Sequence, residues 1–230
     1  MLAPISSMTK RSLLIRRSEL PDDFDTLHEM PHPLVGALIE TLSNGSRVLL
    51  VGVGSGRHVP PLLAAGFIVE AIEEDPERAA RAAERFKSKA RVRVVGGSYS
   101  VPPLLFSGYD AAVSTHALLH GSPPQIAASL AAMGSGLRAG GLFHLTLGST
   151  RDPRYASGLR LDDATWVAET GAEIGVPHAY FDEKAARTLL SDWTILSLDE
   201  RSAAETAGRW AHTSAETATM VHWLARLKRR

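Results

Sequence analysis

Three glycines and one carboxylate carry the first chemical signal in this chain. Gly52, Gly54 and Gly56 follow an apolar run at residues 48–51. Each lacks a Cβ, so the backbone there can turn sharply and let a ligand lie against its N–H groups. Glu73 ends a second expected strand, residues 67–72. It stands roughly 20 residues past the glycines, where a carboxylate at a strand end accepts both hydroxyls of a ribose. Strand, glycine turn, helix, strand and acid, in that order, form one half of a doubly wound sheet and point to an adenosine ribose.

The spacing narrows the ligand. A dinucleotide turn wants G-x-G-x-x-G, because its third glycine lets the helix pack close while the helix N-terminus holds a pyrophosphate. Here that position is Arg57 and the third glycine comes one residue early. G-x-G-x-G disfavours a pyrophosphate, and with it an NAD-dependent reductase. A tight turn that binds nothing is the plain alternative, and the downstream acid argues against it.

On these residues the chain resembles the class I S-adenosylmethionine-dependent methyltransferases. The resemblance continues through Val92-Arg93-Val94-Val95 with the turn Gly96-Gly97-Ser98-Tyr99, then Gly108-Tyr109-Asp110-Ala111-Ala112-Val113-Ser114, then Leu137-Arg138-Ala139-Gly140-Gly141-Leu142. It looks closest to a tellurite-resistance-like branch of small-molecule methyltransferases at Leu119-His120-Gly121, at 149–155, at 175–181 and at His222-Trp223-Leu224. The resemblance implies S-adenosylmethionine as cofactor, with contacts from Gly52, Gly54, Gly56, Arg57, Glu73, Glu74, Ser98, Tyr99 and Ser114. It also implies methyl transfer to a small acceptor by in-line displacement. Two positions depart from the pattern: Leu50 replaces an acidic residue before the first glycine, and Ser98 replaces an aspartate expected at the adenine. A serine hydroxyl is the weaker acceptor by about 1 kcal/mol. A degenerate protein that binds S-adenosylmethionine or S-adenosylhomocysteine without turnover is therefore the alternative reading.

The elements that must position these residues follow from periodicity. Leu34, Leu38 and Leu42 lie at i, i+4 and i+8, which predicts an amphipathic helix over 32–43, ended by Asn44-Gly45. Pro76 opens a surface helix to residue 87. Pro123-Pro124 lead into a helix over 125–133, and residues 142–147 form the next strand. A helix over 182–190 precedes an antiparallel hairpin of 193–198 and 218–227. The expected fold is α/β: a Rossmann-like, doubly wound, mostly parallel seven-stranded sheet with an antiparallel C-terminal hairpin, in a three-layer sandwich. Residues 1–25 are expected to be an N-terminal arm or lid, and 26–230 a single domain. The irregular stretch 148–180 is expected to be an insertion covering the substrate.

Composition excludes other classes. The 230 residues are 44% hydrophobic, enough for one sizeable core, and carry 25 acidic and 25 basic side chains. A zero net charge offers no global field for nucleic acid, and Ser114-Thr115-His116-Ala117 stands where nucleic-acid methyltransferases carry N-P-P-[YFW]. With no cysteine there is no disulfide framework and no thiolate nucleophile. No apolar run reaches the roughly 18 residues of a membrane span, so a cytoplasmic enzyme without a membrane partner is expected.

Base candidates are His116 and His120, after the fourth strand at the sheet's carboxyl edge. If 115–119 forms a helical turn, the two imidazoles share a face at i, i+4. The motif lacks the glutamate of H-E-x-x-H and shows no third ligand, so no metal is expected. His178 and Tyr180, stiffened by Pro177, are expected to contact substrate from the insertion, with Arg151 and Arg209 as weaker substrate candidates. These residues leave the acceptor atom open among oxygen, nitrogen, sulfur and a metalloid.

Overall fold

The computed structural model describes residues 31–54, 56–169, 173–202 and 220–230. The expected arm at 1–25, Ser55 and Arg209 lie outside the described residues.

The first helix, α1 (Pro33–Thr41), starts where His32 Nδ1 accepts the Leu34 N–H at 3.1 Å, with Pro33 in the first turn, where its missing donor is not needed. In β1 (Arg47–Val51), Val48 to Val51 are all buried, as a central parallel strand requires. β1 lies parallel to β2 (Ile68–Glu73) on one side and to β4 (Tyr109–Ser114) on the other. β3 (Val92–Gly96) pairs with β2, and β5 (Leu137–Ser149) with β4. The order β3-β2-β1-β4-β5 therefore reverses between β1 and β4, and this switch point opens a crevice at the strands' carboxyl ends.

Alternation along β1 builds three layers. Val48 and Leu50 face a core shared with α1, α2 (Val59–Ala64) and α3 (Pro76–Phe86). Leu49 and Val51 face a second core with α4 (Pro123–Gly136) and α5 (Glu183–Leu189). The helix starts are specified locally: Asp75 accepts the Arg78 N–H at 2.8 Å, Asp182 accepts the Ala185 N–H at 2.7 Å, and Ser122 with Gln125 forms a capping box.

β9 (Trp193–Ser202) and β10 (Val221–Arg229) pair antiparallel, and β10 inserts beside β5, as the sequence predicts. The stretch 148–180 differs from the irregular pattern expected of it. β5 runs on to Ser149, and β6 (Leu159–Arg160), β7 (Thr165–Val167) and β8 (Pro177–Phe181) form a small ribbon. β8 joins β5 in parallel through Gly148↔Tyr180 and Ser149↔Phe181. Strands this short are hard to read from periodicity. The Asp162 carboxylate sets the β6–β7 turn by accepting the Ala164 and Thr165 N–H groups at 2.9 and 2.8 Å. The seven strands expected are thus extended to a 10-stranded sheet. Among the described residues no helix is long and apolar enough to cross a membrane.

Several buried imidazoles fasten this frame. His144 in β5 meets the Leu34 carbonyl at 3.0 Å and ties the sheet to α1. Burial lowers its pKa to about 4, against the favourable contact with Leu34. Burial likewise brings His222 in β10 to about 4 and holds His32 well below its ordinary range. These rings stay neutral in the fold, whereas in the unfolded chain they take up protons near pH 6.5. Their contribution is complete above about pH 6.5 and is lost as pH falls toward 4, because the unfolded state then binds more protons. Denaturant titration between pH 7 and 4.5 should show stability falling by up to about 1.4 kcal/mol per pH unit per histidine. His144→Gln should make that slope shallower; an unchanged slope would contradict the assignment.

Candidate active site

The glycine turn sits at the mouth of the crevice, and all three glycines take left-handed φ values: +78° at Gly52, +53° at Gly54 and +89° at Gly56. Side chains are excluded for steric reasons as well. A Cβ on Gly52 would lie 2.3 Å from the Ala117 Cβ, and one on Gly56 would lie 2.2 Å from the Phe86 ring of α3. The N–H groups do not face outward as the sequence suggests. Gly52 and Val53 both donate to the Ile72 carbonyl at 2.8 and 3.2 Å, and Gly56 donates to Val53 at 2.8 Å. Gly54 donates to Glu73 Oε2 at 3.0 Å. The loop is stitched to the end of β2, so its glycines provide close approach instead of donors.

Glu73 is 3% exposed at the end of β2. Besides Gly54, its carboxylate accepts the Asp75 N–H at 3.2 Å and meets the Tyr99 hydroxyl at 3.4 Å. Next to it, exposed Glu74 accepts the Tyr99 N–H at 2.9 Å and the Ser98 hydroxyl at 3.3 Å through one oxygen, Oε1. A carboxylate therefore stands beside Ser98 even though Ser98 itself is not acidic. Leu50 is 1% exposed and belongs to the core, so an acid there would be buried.

Arg57 lies just past the glycine turn with its Nε donating to His58 Nε2 at 3.1 Å. Among the described residues no carboxylate pairs with it, and burial lowers its pKa to about 10. The His58 ring reaches across to Thr115 Oγ1 at 3.0 Å. Ser114, opposite Val51 at the end of β4, is fully buried, and among the described residues its hydroxyl has no hydrogen-bond partner. A desolvated cation and an unsatisfied hydroxyl at this edge suit a ligand bearing an anionic group.

His116 and His120 do not share a face. Residues 115–119 form bends and a turn instead of a helix, and His116 takes φ +57°, with its N–H donating to Thr146 Oγ1 at 2.8 Å. That strained turn sends the His116 ring against His32 and His222, at centroid distances of 5.6 and 4.9 Å. His120 goes the other way and forms an antiparallel bridge with His178. Its Nε2 lies 3.5 Å from Glu173 Oε1, and His178 Nε2 lies 3.0 Å from Glu173 Oε2. Burial opposes ionisation of Glu173, but His178 and His120 outweigh it and hold the carboxyl well below its ordinary range. Glu173 carries no sequence signal of its own, because it joins His120 and His178 only when β8 folds against the turn after β4.

Other substrate candidates separate. Tyr180 is buried, its phenol pKa pushed up by burial, with its ring tilted on Tyr155 at 5.6 Å and stacked on His178 at 6.3 Å. The Arg151 side chain is 78% exposed and pairs with Glu200 at 2.5 Å, away from the imidazole pair. Arg154 is the arginine that turns inward, paired with Asp152 at 2.8 Å and Glu173 at 2.9 Å. A cavity of about 500 Å³ runs from Glu74, Ser98 and Tyr99 past His120 to Val176 and Pro177.

Residues 48–141 match the family model of a methyltransferase domain. No curated protein sequence matches the chain. The fold is similar to that of solved structures at low identity. An S-adenosylmethionine-dependent methyltransferase from Methanosarcina mazei is 16% identical with a TM-score of 0.67, over 86% of this chain and 98% of that one. TehB from Haemophilus influenzae is 16% identical with a TM-score of 0.63, over 87% and 63%. The 1,6-didemethyltoxoflavin-N1-methyltransferase of Burkholderia thailandensis, solved with S-adenosylhomocysteine, is 19% identical with a TM-score of 0.60, over 92% and 80%. Glycine turn, acid-ended β2, strand order and family match agree: residues 48–141 match a methyltransferase domain, and the fold is that of S-adenosylmethionine-dependent methyltransferases.

Proposed function

We propose that this enzyme methylates a small molecule held in the cavity between Ser98 and Pro177. The observation that carries the reading is a half-open cavity of about 500 Å³ that runs from Glu74, Ser98 and Tyr99 to Val176 and Pro177 at the start of β8. A compartment of that size suits a small molecule better than a polymer. The Burkholderia relative, which acts on a small heterocycle, supports the same class of acceptor.

The residues present fit the cofactor. Arg57 is a desolvated guanidinium that pairs with no carboxylate among the described residues, and we assign it the carboxylate of the cofactor's amino-acid end. Ser114, with its unsatisfied hydroxyl, lies along the same edge. Glu73 would accept the ribose hydroxyls, while Glu74, Ser98 and Tyr99 would border the adenine, Glu74 supplying the charge that Ser98 lacks. Gly52 and Gly56 let the loop close against Ala117 and Phe86, beside which the cofactor would lie. When bound, S-adenosylmethionine supplies a methyl carbon already activated by its sulfonium.

The protein's share is alignment and exclusion of water. The strained turn at His116 ends β4 so that His120 reaches the cavity wall, while His116 packs among buried rings and supports the turn. β8, with His178 and Tyr180, would form the acceptor side of the site as a wall joined to β5. Arg151, turned to solvent, is left out of this assignment.

The Arg57 role has a direct check by calorimetry, using S-adenosylhomocysteine and 5′-methylthioadenosine, which lacks the amino-acid end. Arg57→Gln should weaken S-adenosylhomocysteine binding by about 1.5–3 kcal/mol and leave methylthioadenosine unaffected. Equal loss for both ligands, or for neither, would refute the assignment.

A further inference from the structure

We propose that His120, Glu173 and His178 bind a divalent transition-metal ion of the zinc type at the wall of the cavity. Their ligand atoms all lie within 4.8 Å of one another. Two imidazole nitrogens and one carboxylate make up the three-ligand set of an open zinc site, whose fourth position takes water or substrate. Ligands about 2.1 Å from a tetrahedral ion stand about 3.4 Å apart. His178 Nε2 lies 3.0 Å from Glu173 Oε2 and His120 Nε2 3.5 Å from Glu173 Oε1, and with every ligand pair within 4.8 Å the side chains would close on one ion by shifts of about an ångström.

The hydrogen bonding around His178 presents its Nε2 to Glu173 as a metal ligand would be presented. His178 Nδ1 lies 3.0 Å from the Val176 carbonyl, which can only accept, so that nitrogen carries a proton. Nε2 then faces Glu173 Oε2 at 3.0 Å from a side chain only 4% exposed. A positive charge between the two atoms, whether a proton or a metal ion, stabilises that pairing. A backbone carbonyl that orients the second ring nitrogen is also the usual outer support of a metal-bound histidine.

The scaffold is rigid where a metal site needs it. His120 and His178 are bridge partners, held by Gly121 N–H to Pro177 O at 2.9 Å and Ala179 N–H to Leu119 O at 3.0 Å. Arg154 donates to Glu173 Oε2 at 2.9 Å and would orient the carboxylate; its own charge is matched by buried Asp152 through two hydrogen bonds of 2.8 and 3.0 Å. Imidazole nitrogens favour zinc, cobalt or nickel over magnesium and calcium. His120 lines the cavity, so the open position faces the compartment where the acceptor is proposed to sit. An acceptor oxygen or nitrogen held there would lose its proton more readily, a role that rests on the methyl-transfer reading; metal binding itself does not.

The test uses the full chain, stripped with a chelator and dialysed against zinc chloride, with bound zinc measured by elemental analysis. One equivalent per chain is expected, with affinity reduced at least about tenfold in both His178→Gln and Glu173→Gln. Loading the unmodified protein with cobalt(II) should give the intense visible absorption of a tetrahedral site, a readout that survives even if a variant fails to fold. Zinc bound equally by both variants, no zinc bound, or an octahedral cobalt spectrum would overturn the proposal. S-adenosylhomocysteine binding by the zinc-free protein keeps the two readings apart, since it tests the cofactor site alone.

Discussion

The hydrogen bond between the Gly54 N–H and the Glu73 carboxylate is the constraint on which the site depends. It joins the turn after β1 to the end of β2 and fixes the glycine loop at the switch point of the sheet. The same carboxylate reaches Asp75 and Tyr99, which places the start of α3 and the turn after β3 around one charge. Glu73 is thus a structural centre as well as the proposed ribose ligand. Substituting it removes an acceptor from a buried N–H, so stability and ligand affinity are linked at this residue.

Much of this site was legible in the sequence. G-x-G-x-G and the acid after the second strand mark positions where backbone conformation and charge are both restricted, and such positions leave residue-level signatures. The alternation that buries Val48 and Leu50 on one face and Leu49 and Val51 on the other marked β1 in the same way. What the spacing did not convey was the use of the loop's N–H groups. Their acceptors, the Ile72 carbonyl and the Glu73 side chain, belong to another strand.

The histidines were the least legible part. At i, i+4, His116 and His120 looked like neighbours on a helical face, but one residue with φ +57° separates them into different clusters. Their true neighbours are distant in sequence: His32 and His222 for one, Glu173 and His178 for the other. A desolvated arginine and a row of buried neutral imidazoles are costly to maintain at a strand edge. Such clusters concentrate at functional sites, and this one lies at the proposed cofactor edge.

Calorimetric titration with S-adenosylhomocysteine, on the unmodified protein and on Glu73→Ala, tests the central claim most directly. The account predicts saturable binding to the unmodified protein, weakened by roughly 1–3 kcal/mol in the variant, together with a lower unfolding midpoint from the Gly54 N–H left without its acceptor. Full affinity in Glu73→Ala, or no binding by the unmodified protein, would contradict it.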